Sequence, residues 1–366
     1  MQKASSCWVP FAVLLLSAIA GGCGSSLPPL TDCEAGRGIT PDCRFRNPED
    51  LVVAPGGEFL LVSQMGQMDG SETGDLVLYR PGSGPGGEIR PLFPVTRLVD
   101  DRSWGDLTCP PPDISRFSPH GIDLVRREDG AWMLLVVNHG GRESVEMFQV
   151  EGEGESLRLR WRGCAEGPEQ AAFNDVAGLR DGGFYVTHMY PLNGQMMALI
   201  RNLVFGSDTG FVYRWQQAEG WTEVPGSEGP FPNGIAVAPD EKALFINMYL
   251  AGEVRKLDLT TGTVVASYAG GRPDNSTWDS GGRLLVATHT ADLADLTACT
   301  DLAEGSCPFA FRIVSLDPED LSAQTVLEHA GPPMGGATVA LEMDGELYLG
   351  TFAGDRIARL SREQAE

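Results

Sequence analysis

A β-hairpin pattern that occurs six times is the feature that most constrains how this chain can fold. Its clearest copy, residues 231–247, reads FPNGIAVAPDEKALFIN: a short alternating run, a turn at Pro239-Asp240 and a second apolar run. A period of two on either side of a turn is typical of a β-hairpin. Similar units start at five further positions: Glu49, His120, Asn174, Asp274 and Gly335. The chain is therefore predicted to be built from repeated hairpins.

The spacing of these hairpins indicates an all-β propeller. Their starts follow one another at roughly 40–70 residues, which is about the scale on which four-stranded propeller blades repeat. Each interval holds further strand-like runs, such as residues 75–79, 144–150 and 253–257. An open sandwich is the alternative, but it gives no reason for a common motif. We predict a single six-bladed β-propeller over residues 44–366, with a helix near residues 195–204.

The first residues have the pattern of an export signal. One basic residue, Lys3, precedes a mostly apolar run over residues 9–20, and small residues follow it. This order is typical of a secretory signal, and the run is too short to cross a bilayer comfortably as a retained helix. Residues 20–23, AGGC, are similar to a bacterial lipobox with Cys23 as the lipidated residue, although lipoboxes usually have Leu where Ala20 stands. Ordinary cleavage nearby is the alternative.

Domain boundaries and localisation follow from this pattern. Residues 1–23 are predicted to be a signal peptide with a lipobox, and residues 24–43 a tether and an N-terminal loop. The mature protein is expected to be exported and attached to a membrane through lipid on Cys23. The net charge of −23 excludes the class of proteins that bind nucleic acid through a basic face.

The cysteines agree with export. Besides Cys7 and Cys23, six cysteines remain, and an even number in an exported chain favours disulfides. Proximity in sequence predicts the disulfides Cys33–Cys43 and Cys299–Cys307. The two cysteines that remain would then form Cys109–Cys164. None of these pairs has the spacing of a zinc site.

Polar residues stand at the head of five of the six hairpins. The innermost strands of a propeller line its channel and run in one direction, so their first residues converge on one mouth. These residues are Glu49, Asp50, His120, Asn174, Asp175, Asn233, Asp274 and Asn275. A single Asn or Asp before a strand is more often a turn residue. Four of these five heads carry carboxylate or amide oxygens, the hard ligands that Ca²⁺ prefers, and together they instead predict a calcium site.

These motifs resemble those of the calcium-dependent serum paraoxonases and their lactonase relatives, over about residues 48–360. The resemblance is carried by PED (48–50), SPHGI (118–122), LLVVNH (134–139), ND (174–175), NGIAVAPD (233–240), DN (274–275), and GATVA and LYLGTF between 336 and 352. It implies a propeller with two calcium ions in its channel. The catalytic ion would be held by Glu49, Asn174, Asn233, Asp274 and Asn275. The structural ion would be held by Asp50, Asp175 and a backbone carbonyl near Ile122.

The resemblance also implies hydrolysis of lactones or aryl esters. His120 and His139 match the proposed histidine dyad of the family, in which calcium polarises the carbonyl group and the dyad activates water. In the rival mechanism Asp274 attacks the carbonyl carbon directly. His188 and His289 also lie at hairpin ends and are further candidates to line the mouth. Two other functions stay open: a sugar-lactone hydrolase that uses a different divalent metal, and a calcium-binding propeller without turnover.

The chain departs from the family in two places. The family joins its chain ends by a disulfide, but no cysteine follows Cys307 here. Ring closure must therefore depend on strand pairing or on a loop pinned by Cys33–Cys43. The segments that form the specificity lid in the family, here residues 65–71 and 190–209, differ in sequence. The apolar stretch within the second segment could be a lid, a membrane-contacting helix or ordinary packing.

Lipidation of Cys23 can be tested by metabolic labelling with a fatty-acid analogue. The full-length chain should incorporate label and Cys23→Ala should not, because the thiol of Cys23 is the predicted attachment point. Equal labelling of the two proteins would contradict the lipobox.

Overall fold

The structure is a computed structural model that describes residues 27–66, 72–82, 86–94, 98–292, 299, 302 and 304–364. The predicted signal peptide and Cys23 lie outside the described residues, as do residues 67–71 of the first predicted lid segment. Within the described ranges, no helix is long and apolar enough to cross a membrane.

Strands dominate the described part of the chain, where 24 of them form six four-stranded antiparallel sheets. In chain order they are β1 (Thr40–Asp42), β2 (Pro48–Val53), β3 (Leu60–Gln64), β4 (Asp75–Arg80), β5 (Glu88–Phe93), β6 (Pro119–Arg126), β7 (Trp132–Asn138), β8 (Ser144–Glu151), β9 (Arg158–Glu166), β10 (Phe173–Gly178), β11 (Phe184–His188), β12 (Phe211–Gln216), β13 (Gly220–Glu223), β14 (Pro232–Val237), β15 (Ala243–Met248), β16 (Glu253–Asp258), β17 (Thr263–Ala269), β18 (Arg272–Trp278), β19 (Leu284–His289), β20 (Phe311–Leu316), β21 (Ala323–His329), β22 (Ala337–Met343), β23 (Glu346–Thr351) and β24 (Ile357–Ser361). The α-helix α1 (Gln195–Phe205) lies between β11 and β12, where the sequence predicted it.

The sheets are the blades of a closed ring. Five blades take four consecutive strands each, from β2–β5 to β18–β21, and the sixth combines β22–β24 with β1. The innermost strands β2, β6, β10, β14, β18 and β22 each contact the innermost strand of both neighbouring blades. The predicted all-β, six-bladed propeller is therefore confirmed. Its first strand begins at Thr40, four residues before the predicted boundary at residue 44, because β1 completes the sixth blade.

The apolar runs of the hairpins are buried on both faces because every blade lies between two others. In β7, Leu134 and Val136 pack against blade one, whereas Met133, Leu135 and Val137 pack against blade three. Alternate side chains of a strand point to opposite faces, so both alternating sets must be apolar here. Six such clusters occupy the six spaces between adjacent blades.

Hydrogen bonds from side chains to backbone connect all six blades around the channel. Three blade junctions use carboxylates as acceptors: Asp50 from Ile122 N–H at 2.7 Å, Asp123 from Gly178 N–H at 2.7 Å, and Asp175 from Ile235 N–H at 2.8 Å. The other three use donors to carbonyl oxygens: Asn247 to Asp274, Thr277 to Ala340 at 2.5 Å, and Thr338 to Glu49 at 2.7 Å. These bonds set the spacing between neighbouring inner strands.

The two ends of the chain close the ring together. The first strand, β1, pairs with the last, β24. The fully buried side chain of Arg356 donates to the carbonyl oxygens of Leu30 at 2.6 Å, Asp32 at 2.7 Å and Pro333 at 2.8 Å. The disulfide Cys33–Cys43 lies in the same N-terminal segment. Closure thus uses both predicted means, strand pairing and a pinned loop.

All three predicted disulfides are present, Cys33–Cys43, Cys109–Cys164 and Cys299–Cys307. The second closes the longest loop and joins the segment before blade two to that blade's outermost strand, β9. A disulfide that closes a long loop stabilises the fold by restricting the unfolded chain.

We predict that Gly234→Ala destabilises the ring, because this glycine lies where two inner strands approach each other closely. An added Cβ would contact the carbonyl oxygen of Asp274 and would lie 2.8 Å from Cα of Asn275. Overpacking of this kind costs about 1–3 kcal/mol. Gly36→Ala is the matched control, since its Cβ would have only Pro333 Cδ nearby, at 3.9 Å. Urea unfolding should give a lower free energy for Gly234→Ala alone; equal values would contradict the close approach.

Candidate active site

The head of every innermost strand carries a break in strand register. The shifts fall between Pro48 and Asp50, Pro119 and Ile122, Phe173 and Val176, Pro232 and Ile235, Pro273 and Ser276, and Ala337 and Val339. A bulge of this kind leaves residues unpaired and re-aims their side chains. The polar residues predicted from the sequence lie within these six bulges or beside them, so a repeated backbone irregularity brings them to one mouth of the channel.

The predicted ligand side chains are buried there. All seven of them, Glu49, Asp50, Asn174, Asp175, Asn233, Asp274 and Asn275, are between 1% and 6% exposed. Four have an oxygen without a hydrogen-bond partner among the described residues: Glu49 Oε2, Asn174 Oδ1, Asn233 Oδ1 and Asn275 Oδ1. Leaving one buried acceptor unsatisfied costs about 1–3 kcal/mol. Four unsatisfied acceptors at one mouth are what a cation site requires.

Hydrogen bonds orient some of these acceptors. The Asn275 amide donates to Oε1 of Glu49 at 2.8 Å, which joins the inner strands of blades five and one. The amide nitrogen of Asn174 lies 3.4 Å from the sulfur of Met189. Because the nitrogen of each amide is engaged on one side, its oxygen is left free on the other.

The electrostatics of this group disfavour its charged form in the absence of a cation. Burial raises the pKa of Glu49 well above its ordinary value, and the charges of Asp50, Asp274 and Asp175 raise it further. Burial raises the pKa of Asp274 to about 8, against a hydrogen bond from Asn233 that lowers it. A bound cation would compensate these negative charges.

The donor set fits a hard divalent cation such as Ca²⁺. In the described part of the chain, no three His, Cys, Asp or Glu side chains come close enough to hold a metal without other donors. The mouth instead mixes carboxylates with the three amides of Asn174, Asn233 and Asn275. Mixed carboxylate and carbonyl oxygens without imidazole or thiolate are typical of calcium ligands.

The deeper pair, Asp50 and Asp175, has a different environment. Each carboxylate accepts two backbone N–H groups, one of them from the next blade. Both residues line a cavity of about 530 Å³ in the half of the channel away from the mouth, and Ile122 lines it as well. Burial raises the pKa of Asp50 to about 7, although the N–H groups of Ile122 and Leu51 oppose the shift. A carboxylate oxygen can accept more than one bond, so this pair could still hold a cation.

The two predicted catalytic histidines are in direct contact. Nδ1 of His120 lies 2.8 Å from Nε2 of His139, and Nε2 of His120 lies 3.6 Å from Oε1 of Glu49. Burial, and then the neighbouring His139, hold the pKa of His120 well below its ordinary value. His120 is therefore neutral near pH 7, which is the state a general base needs.

A carboxylate that the sequence analysis missed completes this group. Both oxygens of Glu143 lie 3.0 Å from Nδ1 of His139. Burial lowers the pKa of His139, but the charge and hydrogen bond of Glu143 outweigh burial, so that the pKa is raised. Glu143 follows His139 by four residues in the β7–β8 loop, and this spacing was the available signal.

The other two candidate histidines have separate surroundings. Nδ1 of His188 accepts the backbone N–H of Ala172 at 3.1 Å, and its ring packs on Phe211 at 5.0 Å. The hydrogen bond and the ring packing of His188 thus give it a structural role in the fold. Nδ1 of His289 lies 3.0 Å from the Tyr249 hydroxyl, while its Nε2, which has no hydrogen-bond partner in the described ranges, lies 3.7 Å from Oδ2 of Asp274. His289 belongs to the mouth.

Aromatic rings form an arc beside the ligand group. Ring centroids are 5.4 Å apart for Tyr190–Phe231, 5.8 Å for Phe231–Tyr249, 5.8 Å for Tyr249–His289 and 5.8 Å for His289–Phe352. The arc runs from the connection after β11 to the one after β23, and both leave their blades at the mouth. Helix α1 follows Tyr190 and has no buried residue; Met196, Leu203 and Phe205 are 68%, 82% and 78% exposed.

Comparison with known proteins gives this geometry a context. A family model described as Arylesterase matches residues 107–356, more than half of the chain. The chain is 27% identical over 247 residues to serum paraoxonase/arylesterase 1 of Homo sapiens, covering 65% of this chain and 67% of the relative. It is 25% identical over 245 residues to serum paraoxonase/lactonase 3 of Oryctolagus cuniculus, covering 64% and 66% of the two chains.

Solved structures support the fold. A gluconolactonase from Xanthomonas campestris has a TM-score of 0.50 at 16% identity, covering 92% of this chain and 95% of the other. A luciferin-regenerating enzyme has a TM-score of 0.52 at 12% identity, covering 88% and 95%. At these identities the likeness concerns the fold alone.

We predict that protein stripped of divalent cations by a chelator loses stability as the pH rises. The raised pKa values of about 7 for Asp50 and about 8 for Asp274 mean that the folded state keeps protons which the unfolded state releases. The free energy of unfolding should therefore fall between about pH 4 and pH 8. Added Ca²⁺ should remove most of this fall, because it replaces the protons.

Thermal unfolding at several pH values would measure the effect. Sodium chloride at matched ionic strength is the control for general screening. Stability that is constant, or that rises with pH in the chelated protein, would contradict a buried cluster of uncompensated carboxylates.

Proposed function

Since the chain belongs to the arylesterase family, we propose that it hydrolyses lactones or aryl esters at the mouth of its channel with the aid of calcium. The observation that carries the proposal is the juxtaposition of two kinds of group. Four buried acceptor oxygens that have no partner among the described residues lie at the same mouth as two histidines in contact, and Glu49 lies between the two groups, 3.6 Å from His120. Hydrolysis of a carbonyl compound needs both an electrophile for the carbonyl oxygen and a base for water.

The side chains have distinct tasks in this proposal. Glu49, Asn174, Asn233, Asp274 and Asn275 hold a calcium ion, which supplies an electrophile for the substrate's carbonyl oxygen when it is bound. Asp50, Asp175 and the backbone near Ile122 hold a second, structural ion. His120 removes a proton from water as the water oxygen bonds to the carbonyl carbon, and His139 orients His120. The bond to the leaving oxygen then breaks, and that oxygen takes up a proton.

Asp274 is the rival nucleophile. Its carboxylate is buried within the ligand group, and Oδ2 lies 3.7 Å from Nε2 of His289. Attack by Asp274 would give an acyl-enzyme that water hydrolyses in a second step. We favour His120 because Asp274 is also a proposed ligand, and a carboxylate bound to a cation is a poorer nucleophile.

The aromatic arc favours substrates with an apolar or aryl group over sugar lactones. Tyr190, Phe231 and Phe352 are partly exposed and face the approach to the ligand group. Aromatic walls contribute apolar contact area, whereas a sugar would need several hydrogen-bonding groups at the same place. Helix α1 begins at Gln195, soon after Tyr190 in the sequence, and its exposed apolar residues would extend the arc as a lid.

We also propose that the protein is exported and attached to a membrane by lipid on Cys23. Its three disulfides support an oxidising compartment outside the cytoplasm. The signal peptide, the lipobox and the tether before the propeller are proposed from the sequence pattern alone.

The proposed function predicts hydrolysis that depends on calcium. Purified mature protein, without its lipid anchor, should hydrolyse phenyl acetate or members of a panel of aliphatic lactones. Activity should vanish on chelation and return with Ca²⁺. His120→Gln should lower kcat by about 10²-fold, the usual contribution of a general base.

His329→Gln is the control, because His329 lies on the outermost strand of blade five and bonds to Gly331 O. If the protein binds calcium but turns over no substrate, the channel is a structural or binding site and not an active site. Normal turnover by His120→Gln would instead indicate that Asp274 is the nucleophile. In that case ¹⁸O from solvent should enter Asp274 after a single turnover.

A further inference from the structure

Glu143, His139 and His120 form a row of hydrogen bonds that ends at the mouth. The Glu143 carboxylate contacts Nδ1 of His139 at 3.0 Å, and Nε2 of His139 contacts Nδ1 of His120 at 2.8 Å. The last nitrogen of the row, Nε2 of His120, lies 3.6 Å from Oε1 of Glu49. His139 uses both of its ring nitrogens in this row, so the direction of one hydrogen bond determines the direction of the next.

The backbone holds the start of this row in place. Oε1 of Glu143 accepts the N–H of Phe173 at 2.5 Å, and the Glu143 carbonyl oxygen accepts the N–H of Gly167 at 2.8 Å. The N–H of His139 donates to the carbonyl oxygen of Ser118 at 3.0 Å. Glu143 therefore cannot turn away from His139 without losing a bond to the head of blade three.

A carboxylate can only accept, and this fixes both histidines. His139 must carry its proton on Nδ1, so the Nε2 of neutral His139 is an acceptor. His120 must then carry its proton on Nδ1 and donate it to His139. Nε2 of His120 is left with a free lone pair at the mouth, which is the atom that a general base uses.

We propose that Glu143 is a positioning residue that selects the tautomers of His139 and His120, so that the unprotonated Nε2 of His120 faces the mouth. The catalytic consequence rests on the proposed hydrolysis, whereas the tautomers can be measured without it. The opposite tautomer would place an N–H at the mouth, where it can donate a hydrogen bond but cannot remove a proton from water.

The row can also carry the proton onward. When the O–H bond of water breaks, its proton goes to Nε2 of His120, and the Nδ1 proton of His120 moves to Nε2 of His139. His139 then holds two protons and a positive charge beside the Glu143 carboxylate. The raised pKa of His139, which Glu143 produces against the effect of burial, supports this location for the charge.

Nitrogen-15 NMR of histidine-labelled protein tests the tautomers directly, because a protonated and an unprotonated ring nitrogen differ widely in chemical shift. The chain has 5 histidines, so His120→Gln and His139→Gln assign the two rings. In the unaltered protein at pH 9, above the raised pKa of His139 so that this ring is neutral, we expect both rings to be protonated on Nδ1. Protonation of His120 on Nε2 would overturn the proposal without any variant of Glu143.

Glu143→Gln is the informative substitution because it keeps the shape and removes the charge. The Gln oxygen can still accept the Phe173 N–H, which leaves its NH₂ group facing Nδ1 of His139. That arrangement reverses the row, so the His120 proton should move to Nε2. The kcat should fall by about 10²-fold, the contribution of a correctly protonated base.

Glu151→Gln is the matched control. Glu151 lies on β8 of the same blade and pairs with Arg158 at 2.9 Å, away from the histidines; its substitution should change neither the tautomers nor kcat. Unchanged His120 shifts in folded Glu143→Gln would overturn the proposal. Absence of turnover in unaltered protein with the expected tautomers would refute the proposed hydrolysis and leave the role of Glu143 standing.

Discussion

The hydrogen bonds between neighbouring inner strands are the interaction on which the rest of the molecule depends. They lie next to the candidate ligands in the sequence. Asp50 bonds to blade two while Glu49 faces the mouth, and Asp175 bonds to blade four while Asn174 faces the mouth. In blades one and three, the bulge at the strand head thus directs one residue to the neighbouring blade and its sequence neighbour to the mouth. The geometry of the site is therefore a consequence of how the ring is held together.

Much of this architecture could be predicted because its signals are local. Alternation on either side of a turn identified the hairpins, and proximity in sequence identified two disulfides and left the third. The convergence of the polar strand heads on one mouth could be predicted because equivalent strands of a propeller present equivalent residues at one end. Position in a repeated unit was enough, without knowledge of any distance.

What sequence reasoning missed depends on contacts between distant segments. The pairing of β1 with β24 joins residues more than 300 positions apart, and Thr40–Asp42 has no alternation that would mark it as a strand. Glu143 looked like one of many acidic residues in a chain with a net charge of −23. Only the folded loop shows that its carboxylate meets His139. Asp123 joins blades two and three in the same way, where its sequence suggested an ordinary polar position in a hairpin.

The pairing of the first strand with the last also determines when the molecule can become complete. A ribosome makes Thr40–Asp42 more than 300 residues before Ile357–Ser361, so β1 has no partner while the blades between them are synthesised. Until then the inward faces of blades one and six, and the three carbonyl groups that Arg356 binds, stay exposed. A chain cut short before Arg356 would therefore leave an open arc with two apolar edges. Only a chain that contains both β1 and β24 can close the ring, so a truncation before β24 would lower the solubility of the whole propeller.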